Sequence, residues 1–143
     1  MQRAIRSIIE DQKPVTASAD ITVSSAARLM REHHIGAILV TREGRLAGIF
    51  TERDALFRVI AEGRDPASTR VGEVMTTNPR TIAPDRPFGH ALHMMYEGGF
   101  RHVPVVDDGR PLGVVSSRDA LGPDLQQFVA ELDTRIHIGE ILG

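Results

Sequence analysis

Residues 14–56 of this chain reappear without a gap as residues 79–121. Fourteen of the 43 aligned pairs are identical, among them Pro14/Pro79, Thr16/Thr81, Ala26/Ala91, Met30/Met95, Gly48/Gly113 and the run Arg53-Asp54-Ala55-Leu56 against Arg118-Asp119-Ala120-Leu121. Several other pairs swap like for like, as in Ile38/Val103, Ile49/Val114 and Thr51/Ser116. A unit of about 60 residues buries only about 60% of its unfolded surface and is marginal alone. The two copies are therefore expected to pack on each other. A pseudo-twofold axis would relate them, with two equivalent clefts between them.

Each copy reads strand, helix, strand, strand, helix. In copy one an extended segment around Val15–Ser18 leads into Val23, Ala26, Ala27 and Met30, spaced as one apolar face of a helix. Ile35–Thr41 and Leu46–Phe50 read as a hairpin around Arg42–Arg45, and Thr51 opens a helix carrying Ala55, Leu56, Val59 and Ile60 that stops at Gly63. Copy two repeats this with Phe88, Ala91, Leu92 and Met95, then His102–Val106 and Leu112–Val115. Pro104 cannot donate to a ladder, which predicts an edge or a bulge there. The helices should cover one side of each sheet, leaving the other to meet its twin. The expected fold class is α+β, built from α/β-type repeats packed sheet to sheet. Residues 1–12 form a helical lead-in, 13–64 and 78–122 the repeats, 65–77 a linker with a short apolar turn, and 123–143 a terminal helix with Leu125, Phe128, Val129, Leu132 and Ile136 on one face.

Composition narrows the function. The net charge of −2 and the single Tyr disfavour a nucleic-acid surface. With no Cys there is no disulfide, thiol catalysis or Cys-ligated zinc. No apolar stretch approaches the ~20 residues of a membrane span, and residues 1–20 carry charges where a signal peptide would be apolar. The expected location is the cytoplasm. Lys13 is the only Lys beside 16 Arg. Arg suits phosphate, but a GC-rich coding sequence is the plainer explanation.

The sharpest local signal is Gly48-Ile49-Phe50-Thr51-Glu52-Arg53-Asp54 with its echo Gly113-Val114-Val115-Ser116-Ser117-Arg118-Asp119. A hydroxyl at a helix start with an acid three residues on can be a capping box. That box prefers Glu or Gln, yet both copies use Asp. An Arg in the first turn opposes the macrodipole, which suggests that an anion arrives there. Helix N-terminal N–H groups suit phosphate, Arg adds a forked donor, and Asp suits the paired hydroxyls of a ribose. Cap and nucleotide grip both remain open. His90 and His93, like His33-His34, read as solvated helix residues rather than metal ligands.

The pattern Gly-h-h-[Thr/Ser]-x-x-Asp in both copies, with Val71-x-x-Val74-Met75-Thr76 and Arg101-His102-Val103-Pro104-Val105-Val106-Asp107, resembles a tandem pair of cystathionine β-synthase (CBS) domains, a Bateman module, over roughly residues 5–125. The resemblance implies adenosine-type ligands (AMP, ADP, ATP, NAD or S-adenosylmethionine) in the clefts. Asp54 and Asp119 would hold ribose hydroxyls, Thr51 and Ser116 would sit near ribose or phosphate, and Arg53 and Arg118 near phosphates. Backbone around Val15-Thr16 and Arg80-Thr81 would frame the base. Arg101 and His102 match the family's basic phosphate contacts, where copy one has Gly36 and Ala37. Ile35, Val103 and Pro104 complete the implied set. Tighter binding is expected at the site containing Asp119. No catalytic cofactor or metal is implied. The resemblance also implies a disk-like homodimer, built from apolar helix faces and both terminal helices, that signals to an unknown regulated protein in trans. A scaffold with vestigial sites and a nucleotide-processing enzyme are the alternatives.

Overall fold

The computed structural model describes residues 3–122, 128 and 130–135. A short helix, α1 (Ile5–Ile9), precedes the first repeat, which comprises β1 (Thr16–Ala17), α2 (Val23–His33), β2 (Ala37–Arg42), β3 (Arg45–Thr51) and α3 (Glu52–Asp54), continued by a π-helix over Ala55–Ile60. The linker supplies α4 (Val71–Val74) and β4 (Thr76–Thr77). The second repeat contains α5 (Phe88–Gly98), β5 (His102–Asp107), β6 (Arg110–Ser116) and a 3₁₀ turn over Ser117–Leu121.

α2 forms where its spacing predicts, with Val23, Ala26 and Met30 buried, but Ala27 of the expected face is exposed at the rim of the stripe. Thr22 Oγ1 accepts from the Ser25 N–H at 3.1 Å as the N-cap. The helix ends at His34, held at φ 53° where the second repeat has Gly99 at φ 71°. Both hairpins turn on two residues with positive φ, Glu43-Gly44 and Asp108-Gly109, the twist that suits right-handed strands. Their tips touch: the Leu46 N–H donates to the Gly109 carbonyl at 2.9 Å. Each hairpin carries a register shift at the equivalent place, after Val40 and after Val105.

Three apolar layers follow from period-two alternation along the strands. Ile38, Val40 and Phe50 face α2 with Val23, Ala26 and Met30. Val103, Val105 and Val115 face α5 with Phe88, Ala91, Met94 and Met95. Ala37, Leu39 and Ile49 join Leu46 and Val114 between the two sheets. The repeats therefore pack sheet to sheet, helices outward.

Pro104 makes the two sheets differ at one edge. In the first repeat the strand order is β1-β2-β3-β4, and the Leu39 N–H donates to the Val15 carbonyl at 3.2 Å. Pro104 stands where Leu39 does and has no N–H to offer Arg80. Only an isolated bridge, Ile82 to Val105, remains in place of a parallel strand. On the other edge the Gln12 side chain takes the role of β4, its amide donating to the Val114 carbonyl and accepting from the Val114 N–H, both at 3.0 Å.

The lead-ins are exchanged. α1 does not pack on the repeat that follows it: Ile5 and Ile9 sit in the core of the second repeat, with the Ile5 N–H donating to the Arg86 carbonyl at 3.0 Å. Arg3 lies 5.2 Å over the Phe88 ring and donates to the Asp119 carbonyl at 2.6 Å. The linker helix α4 completes the first repeat instead, through Val71 and Val74. This corrects the expectation that both terminal helices supply a dimer face, because α1 is spent within the chain.

The second helix of copy one also departs from its expected form. Its i→i+5 bonds, such as Ala61 N–H to the Leu56 carbonyl at 2.9 Å, give a wider winding than the 3.6-residue period assumed. Only Val59 of the expected face is buried, and Leu56, Phe57 and Ile60 are 50%, 56% and 66% exposed. Residues 128 and 130–135 are helical, with Phe128 and Leu132 exposed. Leu125, Val129 and Ile136 lie outside the described residues.

Gly48 marks a close approach between β3 and β4. A Cβ there would lie 2.8 Å from the Thr76 carbonyl oxygen and 2.6 Å from the Met75 sulfur. Gly48→Ala is expected to push β4 off β3 and cost about 1–3 kcal/mol in urea unfolding. An unchanged midpoint would remove this contact from the account.

Candidate functional site

Each repeat pins the start of its last helix to the residue before its hairpin. The Glu52 N–H donates to the Gly36 carbonyl at 2.9 Å, and the Ser117 N–H to the Arg101 carbonyl at 3.0 Å. Hydroxyl, Arg and Asp are thereby fixed at the edge of the sheet-to-sheet interface, where crevices open.

The larger crevice, about 770 Å³, is lined by Thr51, Arg53 and Asp54 of the first repeat and by Arg80, Arg101 and His102 of the second. Leu56, Phe57 and Phe100 give it apolar walls. On the other side a crevice of about 740 Å³ carries Ser116, Arg118 and Asp119 with Val15, Gly36 and Ala37. Each cleft thus combines the Asp of one repeat with the entry segment of the other. Ile35 lines the second cleft as well. Thr16 and Thr81 line neither. Val103 and Pro104 are fully buried and reach no crevice, because β5 turns Val103 to the helix side and Pro104 lies inside the fold.

Both Asp side chains cap their helices. The Thr51 N–H donates to Asp54 Oδ2 at 2.9 Å, and the Thr51 hydroxyl to the same oxygen at 3.1 Å. The Ser116 N–H donates to Asp119 Oδ2 at 2.7 Å. Capping uses one carboxylate oxygen in each case. Asp54 Oδ1 lies 3.5 Å from Arg58 Nε, while Arg58 also donates to the Val74 and Met75 carbonyls at 3.2 and 3.3 Å. Cap and cleft group are thus compatible roles for the same side chain.

Arg101 corrects one expectation. Tighter binding at Asp119 presumed that the basic pair belonged there, but Arg101 lines the cleft with Asp54 and His102 borders both clefts. The places equivalent to Arg101 and His102 are held in the Asp119 cleft by Gly36 and Ala37, which carry no charge.

A sequence model of the CBS domain matches residues 5–61 and 71–122. The chain belongs to the CBS-domain family. It is 36% identical over 120 residues to the mitochondrial CBS domain-containing protein CBSX3 of Arabidopsis thaliana, covering 80% of this chain and 58% of that protein. It is 38% identical over 104 residues to YhcV of Bacillus subtilis, covering 73% and 74%. The chain spans about a fifth of CBSCBSPB1 of Arabidopsis thaliana, at 42% identity. Among solved structures, the CBS-domain containing protein ATU1752 of Agrobacterium tumefaciens superposes with a TM-score of 0.77 at 31% identity over 85% of this chain and 98% of that one. The CBS domain pair of protein MJ0100, in complex with 5′-methylthioadenosine and S-adenosyl-L-methionine, superposes at 0.76 with 28% identity over 92% and 99%. CBS domain pairs are regulatory modules. No helix among the described residues is long and apolar enough to cross a membrane.

Sequence reasoning missed several cleft residues. Arg58, Phe57 and Phe100 gave no sign because they sit on a π-helix turn and a loop. Lys13-Pro14 and Asn78-Pro79 line opposite clefts as equivalents, and the identical Pro pair was the signal that could have found them. His93 pairs with Glu97 on the exposed face of α5.

Burial pushes the His102 imidazole below its ordinary value of 6.5, Arg101 adds to the push and Glu52 opposes it. The unfolded chain therefore takes up this proton more readily than the folded one. The stabilising contribution is complete above about pH 6.5 and is lost as pH falls toward the lowered folded value. His102→Gln is expected to flatten the decline of the urea midpoint between about pH 7 and 5; an identical decline in both proteins would contradict the assignment.

Proposed function

We propose that the repeats at 13–64 and 78–122 form a non-catalytic regulatory module that binds adenosine-type ligands, AMP, ADP, ATP or NAD, in its two inter-repeat clefts. The observation that carries this reading is the larger cleft, where Asp54 at a helix start faces Arg80 and Arg101 across about 770 Å³ between apolar walls. Asp54 takes the ribose, the Arg side chains take phosphate, and Phe57 or Phe100 lies against the base. The complex of MJ0100 with two adenosine-containing molecules supports the ligand class.

The test is a thermal shift with AMP, ADP, ATP, NAD and S-adenosylmethionine. Ligand at 100 times its dissociation constant adds about 2.7 kcal/mol, which raises the melting temperature by roughly 5–10 °C for a chain of this size. No shift with any of them contradicts the reading. The capping boxes favour a second reading, a scaffold whose Asp residues are structural only, and that same null result would support it.

The module works in the cytoplasm as a homodimer that signals to a partner protein in trans. Ile60, exposed on the π-helix and outside both clefts, marks a face suited to an isologous contact. Ile60→Glu is expected to yield monomers in sedimentation velocity with an unchanged far-UV spectrum. A monomeric wild type would contradict the dimer.

A further inference from the structure

A third crevice, about 470 Å³, lies between the two clefts and shares lining residues with both. Arg101 and Glu52 belong to it and to the Asp54 cleft, while His34, Ser116 and Arg118 belong to it and to the Asp119 cleft. His102 borders all three. Arg31, from the last turn of α2, lines this crevice and neither cleft.

The charge of this crevice differs from what an adenosine needs. Three guanidiniums, Arg31, Arg101 and Arg118, face one carboxylate, Glu52, with two imidazoles and the Ser116 and Ser117 hydroxyls beside them. Guanidiniums stay protonated and bind phosphate oxygens through paired N–H groups. Phe57 and Phe100, which could stack on a base, line the Asp54 cleft and not this crevice. The middle crevice is therefore built for anions, and it can be reached from either side.

We propose that it is a shared oligophosphate site. It accepts the phosphate tail of a nucleotide whose adenosine sits in either flanking cleft, and it holds one tail at a time. Two tails there would place several like charges within a few ångströms of each other, against only three guanidiniums. The clefts are consequently coupled through ligand charge: a triphosphate in one weakens a triphosphate in the other, reciprocally. Adenosine, which carries no phosphate, fills both. The inference rests on the adenosine reading of the clefts and names how they regulate each other.

The test is calorimetric titration of the full chain with adenosine, ATP and inorganic triphosphate. Expected are two adenosine sites per chain, one tight ATP site with any second at least about tenfold weaker, and competition of inorganic triphosphate with ATP but not with adenosine. Arg31→Gln should weaken ATP about tenfold relative to adenosine. Equal numbers of adenosine and ATP sites at comparable affinity, or an unchanged ATP-to-adenosine ratio in Arg31→Gln, overturn the shared site while leaving the adenosine clefts intact. A chain that binds inorganic triphosphate but neither adenosine nor ATP has a free anion site there, which overturns the proposal. Absence of all binding overturns the proposal and the adenosine reading together.

Discussion

Ile5→Ala is expected to destabilise the second repeat by about 2–5 kcal/mol while sparing the first. Ile5 is fully buried among Phe88, Met94 and Val115, although it belongs to the chain's first turn of helix. Removing its branched side chain leaves a cavity that α1 cannot fill, since its N-terminal end is held by the Ile5 N–H to Arg86 and Arg6 N–H to Pro84 hydrogen bonds at 3.0 and 2.9 Å. Hydrogen exchange locates the loss. Amides of β5 and β6 should lose protection before those of β2 and β3, whose core is completed by Val71 and Val74. Earlier opening of the first repeat would show that the lead-ins are not exchanged.

The largest functional effect is expected from Asp54→Asn. Asn keeps an oxygen to accept the Thr51 N–H, so the cap survives at a cost within about 1 kcal/mol. It loses the negative charge opposite Arg58 and the second oxygen that would accept a ribose hydroxyl. Hydrogen bonds to charged groups contribute about 1.5–3 kcal/mol each, so AMP affinity should fall about 10- to 100-fold at that cleft. The separation matters because Asp54→Ala would remove cap and ligand group together. A variant with wild-type affinity would leave Asp54 a capping residue only.

The sequence made the repeat legible because the shift of 65 aligns core, turn and cap residues at once. The apolar stripe of α2, both hairpins and the sheet-to-sheet layer followed from it. The consequence of Pro104 was half legible: a missing donor is certain from the residue, but that Leu39 makes this bond to Val15 in the twin requires coordinates. The exchange of lead-ins was hidden, since an apolar helix fits either core and chain order suggests the nearer one. The π-helix was hidden too, because its apolar residues also satisfy a 3.6-residue period. In the clefts, the two Asp residues and their Arg neighbours were readable from the motif. Which cleft receives Arg101 was not, because it depends on how one repeat is turned against the other.

The most direct measurement is calorimetric titration with AMP of wild type, Asp54→Asn, Asp119→Asn and the double variant, all confirmed folded by their melting curves. The expected result is that each single variant loses binding at one cleft and the double variant binds at neither. A folded double variant that binds AMP as the wild type does would contradict the assignment of the inter-repeat clefts as the ligand sites.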